Sequence, residues 1–125
     1  MVARLKDKVA IVAGAGSIGP GWGNGKAVAV LFAREGARVV AADREVSAAE
    51  ETAKIIIDEG GSCTVAEVDV TDQAAVVGMV KTAVHDHGRV DILHNNVGAI
   101  GPLGGPTDIS GEDWDQTFKL NAKSM

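Results

Sequence analysis

The sequence has no tyrosine, one cysteine and three prolines among 125 residues. Without tyrosine, no phenol is available as an acid or base. The lone Cys63 excludes an internal disulfide and any multi-cysteine metal site. Basic residues are outnumbered, 12 against 17 acidic, for a net charge of −5, so no basic face for nucleic acid is indicated. The longest fully apolar run, Ala27–Ala33, is seven residues and too short to cross a bilayer. The segment Met1–Lys8 lacks the apolar core of a signal peptide. With 46% apolar and 23% charged residues, the composition suits one domain, 1–125, in a cytoplasmic protein without membrane or nucleic-acid partners.

What the chain does have is repetition. Val9–Ala13 is a continuous apolar run, and similar runs begin near Val39, Thr64 and Val90. Strands buried on both faces read this way, as in helix-covered parallel sheets. Between the runs lie helical stretches. Ala27 and Leu31 belong to one that stops at Gly36. Val46, Ala49, Ala53, Ile56 and Ile57 share a face ahead of Gly60 and Gly61. Val76, Val77, Val80, Ala83 and Val84 share another ahead of Gly88. Glycine most cheaply takes the left-handed position that ends a helix. A fourth helix is expected after Ser110, with Asp113 three residues on in a loose likeness of a capping box. Strand–helix alternation of this kind predicts an α/β fold with right-handed crossovers.

The first strand runs directly into a glycine-rich loop, Gly14 to Gly25. Glycine between a strand and a helix lets backbone approach a pyrophosphate, which then rests on the helix N-terminus. The loop has two registers. Gly14-x-Gly16-x-x-Gly19 would start the helix near Ile18 and bury Pro20, Gly21, Gly23 and Gly25 in its first turns. Each interior glycine costs roughly 1 kcal/mol relative to alanine, so this register is rejected. The helix is expected to begin at Asn24 or Gly25, with Gly14, Gly23, Asn24 and Gly25 as the phosphate cradle. A mobile surface turn is the plainer alternative, but placement between a buried strand and a good helix favours phosphate binding. Asp43 ends the second strand, where a carboxylate can accept both hydroxyls of an adenosine ribose and repel a 2′-phosphate. Arg44 beside it could offset that repulsion. His94 falls in the fourth strand and reads as a core histidine. His85 and His87, two apart, do not share a helix face, and no metal is assigned.

Taken together, the sequence resembles the short-chain dehydrogenase/reductase family over essentially its whole length. Lys8–Gly14 looks like the family's first strand and glycine, and Gly25–Asp43 like its first helix and second strand. Asp69-Val70-Thr71 is similar to its adenine-contacting Asp-Val. Asp91–Gly98 looks like the segment bearing its Asn-Asn-Ala-Gly signature, and Trp114–Asn121 like the helix that carries a functional Asn. The resemblance implies a Rossmann-type doubly wound parallel sheet in the order 3-2-1-4, truncated before a fifth strand. It implies NAD as cofactor, with NADP less favoured. Gly14, Gly23, Asn24 and Gly25 would hold the pyrophosphate, Asp43 and Arg44 would face the ribose, and Asp69 and Val70 the adenine. Asn95, Val97 and Gly98 would floor the second ribose, and Asn121 is the one catalytic position matched.

Departures are specific. Ala13 stands where the family usually has Thr, and Val97 where it has Ala. The glycine loop is about four residues longer than the common form, and Trp22, in the extra segment, either folds over the nucleotide or packs on the surface. The family's chemistry also needs a Ser and a Tyr with a Lys four positions later, and these would lie beyond residue 125. The expected function is therefore the dinucleotide-binding portion of an oxidoreductase that interconverts an alcohol and a ketone, with substrate engaged only in the complete protein and a homo-oligomer expected. A non-catalytic truncated module that binds nucleotide or partners is the competing class. A Rossmann methyltransferase is the third, and the form of Asn95-Asn96-x-Gly98 speaks against it.

Overall fold

The computed structural model describes residues 3–125, so the first two residues of the Met1–Lys8 segment lie outside it. Four parallel strands form one sheet: β1 (Val9–Ala13), β2 (Arg38–Asp43), β3 (Ser62–Glu67) and β4 (Ile92–Asn95), in the order β3-β2-β1-β4. Helices α1 (Asn24–Arg34), α2 (Val46–Asp58) and α3 (Gln73–His87) supply the crossovers, and α4 (Gly111–Phe118) passes into a π-helical turn, Lys119–Lys123. The expected α/β class and strand order are both present.

Parity along the strands builds the two layers. Ala10 and Val12 of β1, with Val39 and Ala41 of β2, join Ala29, Val30, Ala49 and Ile56 from α1 and α2 on one face. Ile11, Val40 and Ala42 point to the other face and meet Met79 and Ala83 of α3. Every residue of β1 is buried, as a strand with helices on both faces must be.

The helix faces differ in part from their periodicity. In α2 the buried set is Ala49, Thr52, Ala53 and Ile56, whereas Ile57 is exposed. Thr52 is fully buried because its hydroxyl donates to the Ala15 carbonyl at 2.8 Å, which satisfies the polar group. In α3 only Met79 and Ala83 are buried; Val77, Val80 and Val84 face outward. Periodicity locates a stripe but not what covers it.

The fourth strand is shorter than its apolar run. Val90 and Asp91 precede it, and Asp91 serves the first strand instead. Its carboxylate accepts the Val9 N–H at 2.9 Å and is held by Arg89. This closes the start of β1, at the opposite end of the sheet from the glycine loop. Ser110 caps α4, with its hydroxyl accepting the Asp113 N–H at 3.1 Å and donating to the Asp113 carboxylate at 2.8 Å. The box partner thus binds the capping hydroxyl rather than the Ser110 backbone N–H.

Candidate functional site

A cavity of about 490 Å³ opens at the carboxyl ends of the strands, where open parallel sheets place their ligands. Its walls come from the glycine loop, the turn after β2, the turn after β3 and the segment after β4.

The chain crosses itself at unusually close range in the first wall. Helix α1 begins at Asn24 with Gly23 as its N-cap, as the second register requires. A Cβ on Gly25 would overlap the Gly14 carbonyl and come 2.8 Å from the Asn96 amide nitrogen. A Cβ on Gly14 would lie 2.6 Å from the Asn96 carbonyl oxygen, and its φ of +80° is itself a glycine conformation. Only glycine permits this crossing, which brings the N-terminus of α1 to the cavity. No acidic residue occupies the first turn of α1, so the positive end of the helix is uncompensated there by carboxylate.

Asp43 ends β2 and joins two walls. One carboxylate oxygen accepts the Gly16 N–H and the other the Glu45 N–H, each at 2.9 Å. A carboxylate offers about four acceptor positions, so two remain for a ligand. Gly16 is a site residue that the rejected register hid: a Cβ there would strike the Ala48 Cβ and sit 3.0 Å from the Asp43 carboxylate. Arg44 lines the same rim and is exposed.

Asp69 and Val70 line the cavity after β3. The Thr71 hydroxyl donates to Asp69 at 2.6 Å and the Thr71 N–H at 2.9 Å. These bonds, the hydroxyl first, hold the Asp69 carboxyl below its ordinary value. After β4, Val97 and Gly98 line the cavity, but the expected Asn95 does not. Asn95 shares its parity with Leu93, which is exposed on the far face of the strand, and Asn96 turns inward in its place. Its amide reaches toward the Gly14 carbonyl at 3.4 Å. Alternation along β4 was the available signal for Asn96 over Asn95.

Asn121, expected as a catalytic position, is engaged by the backbone around it. It sits in the π-helical turn and does not line the cavity. Its side chain is spent on backbone: Nδ2 donates to the carbonyls of Ala99 at 2.9 Å and Thr117 at 3.0 Å, and Oδ1 accepts the Ala99 N–H at 2.8 Å. In this structure it is a positioning residue for the segment after β4. His94 packs edge-on to Phe32, with ring centroids 6.1 Å apart, which is the core reading. Among the described residues, no group of three His, Cys, Asp or Glu side chains is arranged to hold a metal.

The short chain dehydrogenase family model matches residues 8–125. The chain belongs to this family. An uncharacterized oxidoreductase of Thermotoga maritima is 39% identical over 95% of this chain and 44% of its own length. The crystal structure of a proposed short-chain dehydrogenase/reductase from Burkholderia xenovorans superposes with a TM-score of 0.91 at 49% identity, covering 97% of this chain and 48% of that one. A 7α-hydroxysteroid dehydrogenase complexed with NADH and 7-oxo glycochenodeoxycholic acid gives a TM-score of 0.87 at 35% identity, covering 98% of this chain and 45% of that one. The chain thus spans less than half the length of the relatives it matches. No helix among the described residues is long and apolar enough to cross a membrane.

Proposed function

We propose that this chain is the dinucleotide-binding portion of an oxidoreductase that interconverts an alcohol and a ketone, and that it takes NAD in preference to NADP. The observation that carries this reading is Asp43. Two backbone N–H groups fix its carboxylate on the rim of a cavity whose other wall is the N-terminus of α1. A fixed carboxylate with two free acceptor positions suits a ribose diol and opposes a 2′-phosphate.

The residues present fit the cofactor. The N–H groups of Asn24 and Gly25 in the first turn of α1 would hold the pyrophosphate, while Gly14 and Gly23, whose N–H groups donate to the Ala42 carbonyl and the Ser17 hydroxyl, shape the crossing that brings it there. Asp69 and Val70 would border the adenine, and Asn96, Val97 and Gly98 the second ribose, with Asn121 fixing the last segment through Ala99. When bound, a nicotinamide cofactor supplies the hydride chemistry. The 125 residues hold no tyrosine, so the positioned phenol that the family uses for proton transfer is not among them. Substrate is engaged, in this reading, by the complete protein.

Calorimetric titration of the chain with NAD and NADP tests the proposal. Tighter binding of NAD is expected, with the preference shrinking in Asp43→Ala. Equal or tighter NADP binding would show that Arg44 rather than Asp43 decides. Binding of neither would remove the dinucleotide reading.

A further inference from the structure

The extra segment of the glycine loop contains one arrangement that the dinucleotide reading leaves unused. Lys26 lies in the first turn of α1 and is only 8% exposed. Its ammonium sits 4.9 Å from the centre of the Trp22 ring and donates to the Gly21 carbonyl at 3.3 Å. Among the described residues it forms no ion pair with a carboxylate. A cation is disfavoured at the positive end of a helix, and more so when it is withdrawn from water. The ring face and a single long carbonyl bond are what answer that charge.

The same contacts tie the loop down. Ser17 Oγ accepts the Gly23 N–H at 2.8 Å, which closes the turn from 17 to 23 at its base. Lys26 grips the far side of that turn at two successive residues, Gly21 and Trp22. The indole also lines the cavity while remaining 57% exposed. It is therefore one wall of the site, and the ammonium is its support.

We propose that Trp22 and Lys26 form a latch that sets the affinity of the site for phosphate-bearing ligands by holding the extended loop against the N-terminus of α1. The inference rests on the dinucleotide reading for its ligand but on the loop alone for its geometry. Both are positioning residues. The ring holds the ammonium, the ammonium holds the Gly21 carbonyl, and the turn from 17 to 23 stays against the first turn of α1 at the cavity wall. Adenosine, which carries no phosphate, is indifferent to the latch.

Two measurements on the chain test it. First, ADP-ribose and adenosine are titrated into wild type, Trp22→Ala, Trp22→Phe, Lys26→Met and the Trp22→Ala/Lys26→Met double variant, with thermal melts alongside. Expected are ADP-ribose affinities weaker by on the order of 3- to 30-fold in Trp22→Ala and Lys26→Met, the range of a partly desolvated cation–π contact. The double variant should be no worse than the weaker single variant, because both remove one interaction. Trp22→Phe should stay near wild type, adenosine affinity should not move, and each variant should keep a cooperative melt. Additive losses, or Trp22→Phe as weak as Trp22→Ala, would overturn the latch.

Second, Trp22 emission is quenched with acrylamide in a Trp114→Phe background without ligand. Lys26→Met should raise the quenching constant, and an unchanged constant would overturn the latch. If wild type binds neither ADP-ribose nor NAD, the dinucleotide reading fails, and this ligand-free result still decides whether the latch exists.

Discussion

Asn121 and Ala99 are joined by a reciprocal pair of hydrogen bonds, one from the Asn121 amide to the Ala99 carbonyl and one from the Ala99 N–H to the Asn121 carbonyl oxygen. A side chain in the π-helical turn therefore mimics a strand partner for a segment without regular structure. Gly98, next in line, leaves no room for a side chain: a Cβ would lie 2.9 Å from Asn121 Oδ1. Replacing Asn121 by Ala should destabilise the chain by about 1.5–3 kcal/mol, since it removes three hydrogen bonds at partly exposed sites, the two to Ala99 and one to the Thr117 carbonyl. Asn121→Asp should not rescue it, since a carboxylate oxygen would then face the Ala99 carbonyl. Urea unfolding of both variants checks this, and full stability of Asn121→Asp would show that the amide donor is dispensable.

The crossing at Gly25 makes a harsher demand. Gly25→Ala puts a methyl group into the Gly14 carbonyl, which is backbone and cannot rotate away. The expected cost is roughly 3 kcal/mol, the upper part of the overpacking range, with ligand affinity lost because the start of α1 must move. Gly111→Ala is the control, as nothing lies within 4 Å of a Cβ there. Equal melting of the two variants would mean that the crossing relaxes at little cost.

The glycine loop marks both the reach of the residues alone and its limit. The start of α1 was legible because glycine and proline inside a helix cost too much. The limits of β1 were legible because five consecutive buried residues leave little choice. Asn96 was legible only through alternation, which sets Asn95 on the face of Leu93 and Asn96 on the other, and the apolar run at Val90 does not show which face meets the cavity. Gly16 was hidden by the same choice of register that placed α1 correctly: it serves a close approach to Asp43, not a helix. Lys26 carries no sequence signal at all, since the approach of its ammonium to the Trp22 ring depends on how the extra loop residues fold back. Asn121, matched as a catalytic position, also frames the segment after β4 through its bonds to Ala99, and no periodicity in the sequence announces those bonds.

Acid should weaken the fold through a small set of carboxylates. Arg4 lowers the Glu35 carboxyl, Arg34 that of Glu59, Thr71 that of Asp69, and Arg89 with the Val9 N–H that of Asp91. Groups whose folded pKa is depressed stabilise the fold above their unfolded value, and that stability disappears as pH falls through the folded one. Stability should therefore hold near neutrality and decline below about pH 4, the ordinary carboxyl range. Asp91→Asn should flatten part of that decline, because it removes a titrating group whose carboxylate form holds the first residue of β1. Melting temperature against pH for wild type and Asp91→Asn reads this out, and superimposable profiles would rule Asp91 out as a contributor.

The physical state of the chain follows from what β4 and its neighbours leave uncovered. Among the described residues β4 pairs only with β1, so its outer backbone edge is open. One face of it is covered, since Ile92 packs on the α1–α2 cluster and His94 on Phe32. The other face is not: Leu93 is 55% exposed, and Val77, Val80 and Val84 of α3 and Trp114 and Phe118 of α4 are also exposed large apolar side chains. An open edge with apolar residues exposed around it templates association. Burial of that surface in an assembly would add apolar contact, and folding stability is a small difference between large terms. The chain is therefore expected to self-associate, to bind an apolar dye, and to melt at a temperature that rises with protein concentration. Leu93→Lys should weaken the association by placing a charge on the uncovered face, whereas Ile92→Lys should unfold the chain by placing one in the core. Sedimentation at several concentrations with parallel melts decides the matter. A monodisperse monomer melting cooperatively above roughly 60 °C, the upper part of the mesophile range, would mean that the β4 edge and the α3 face need no partner.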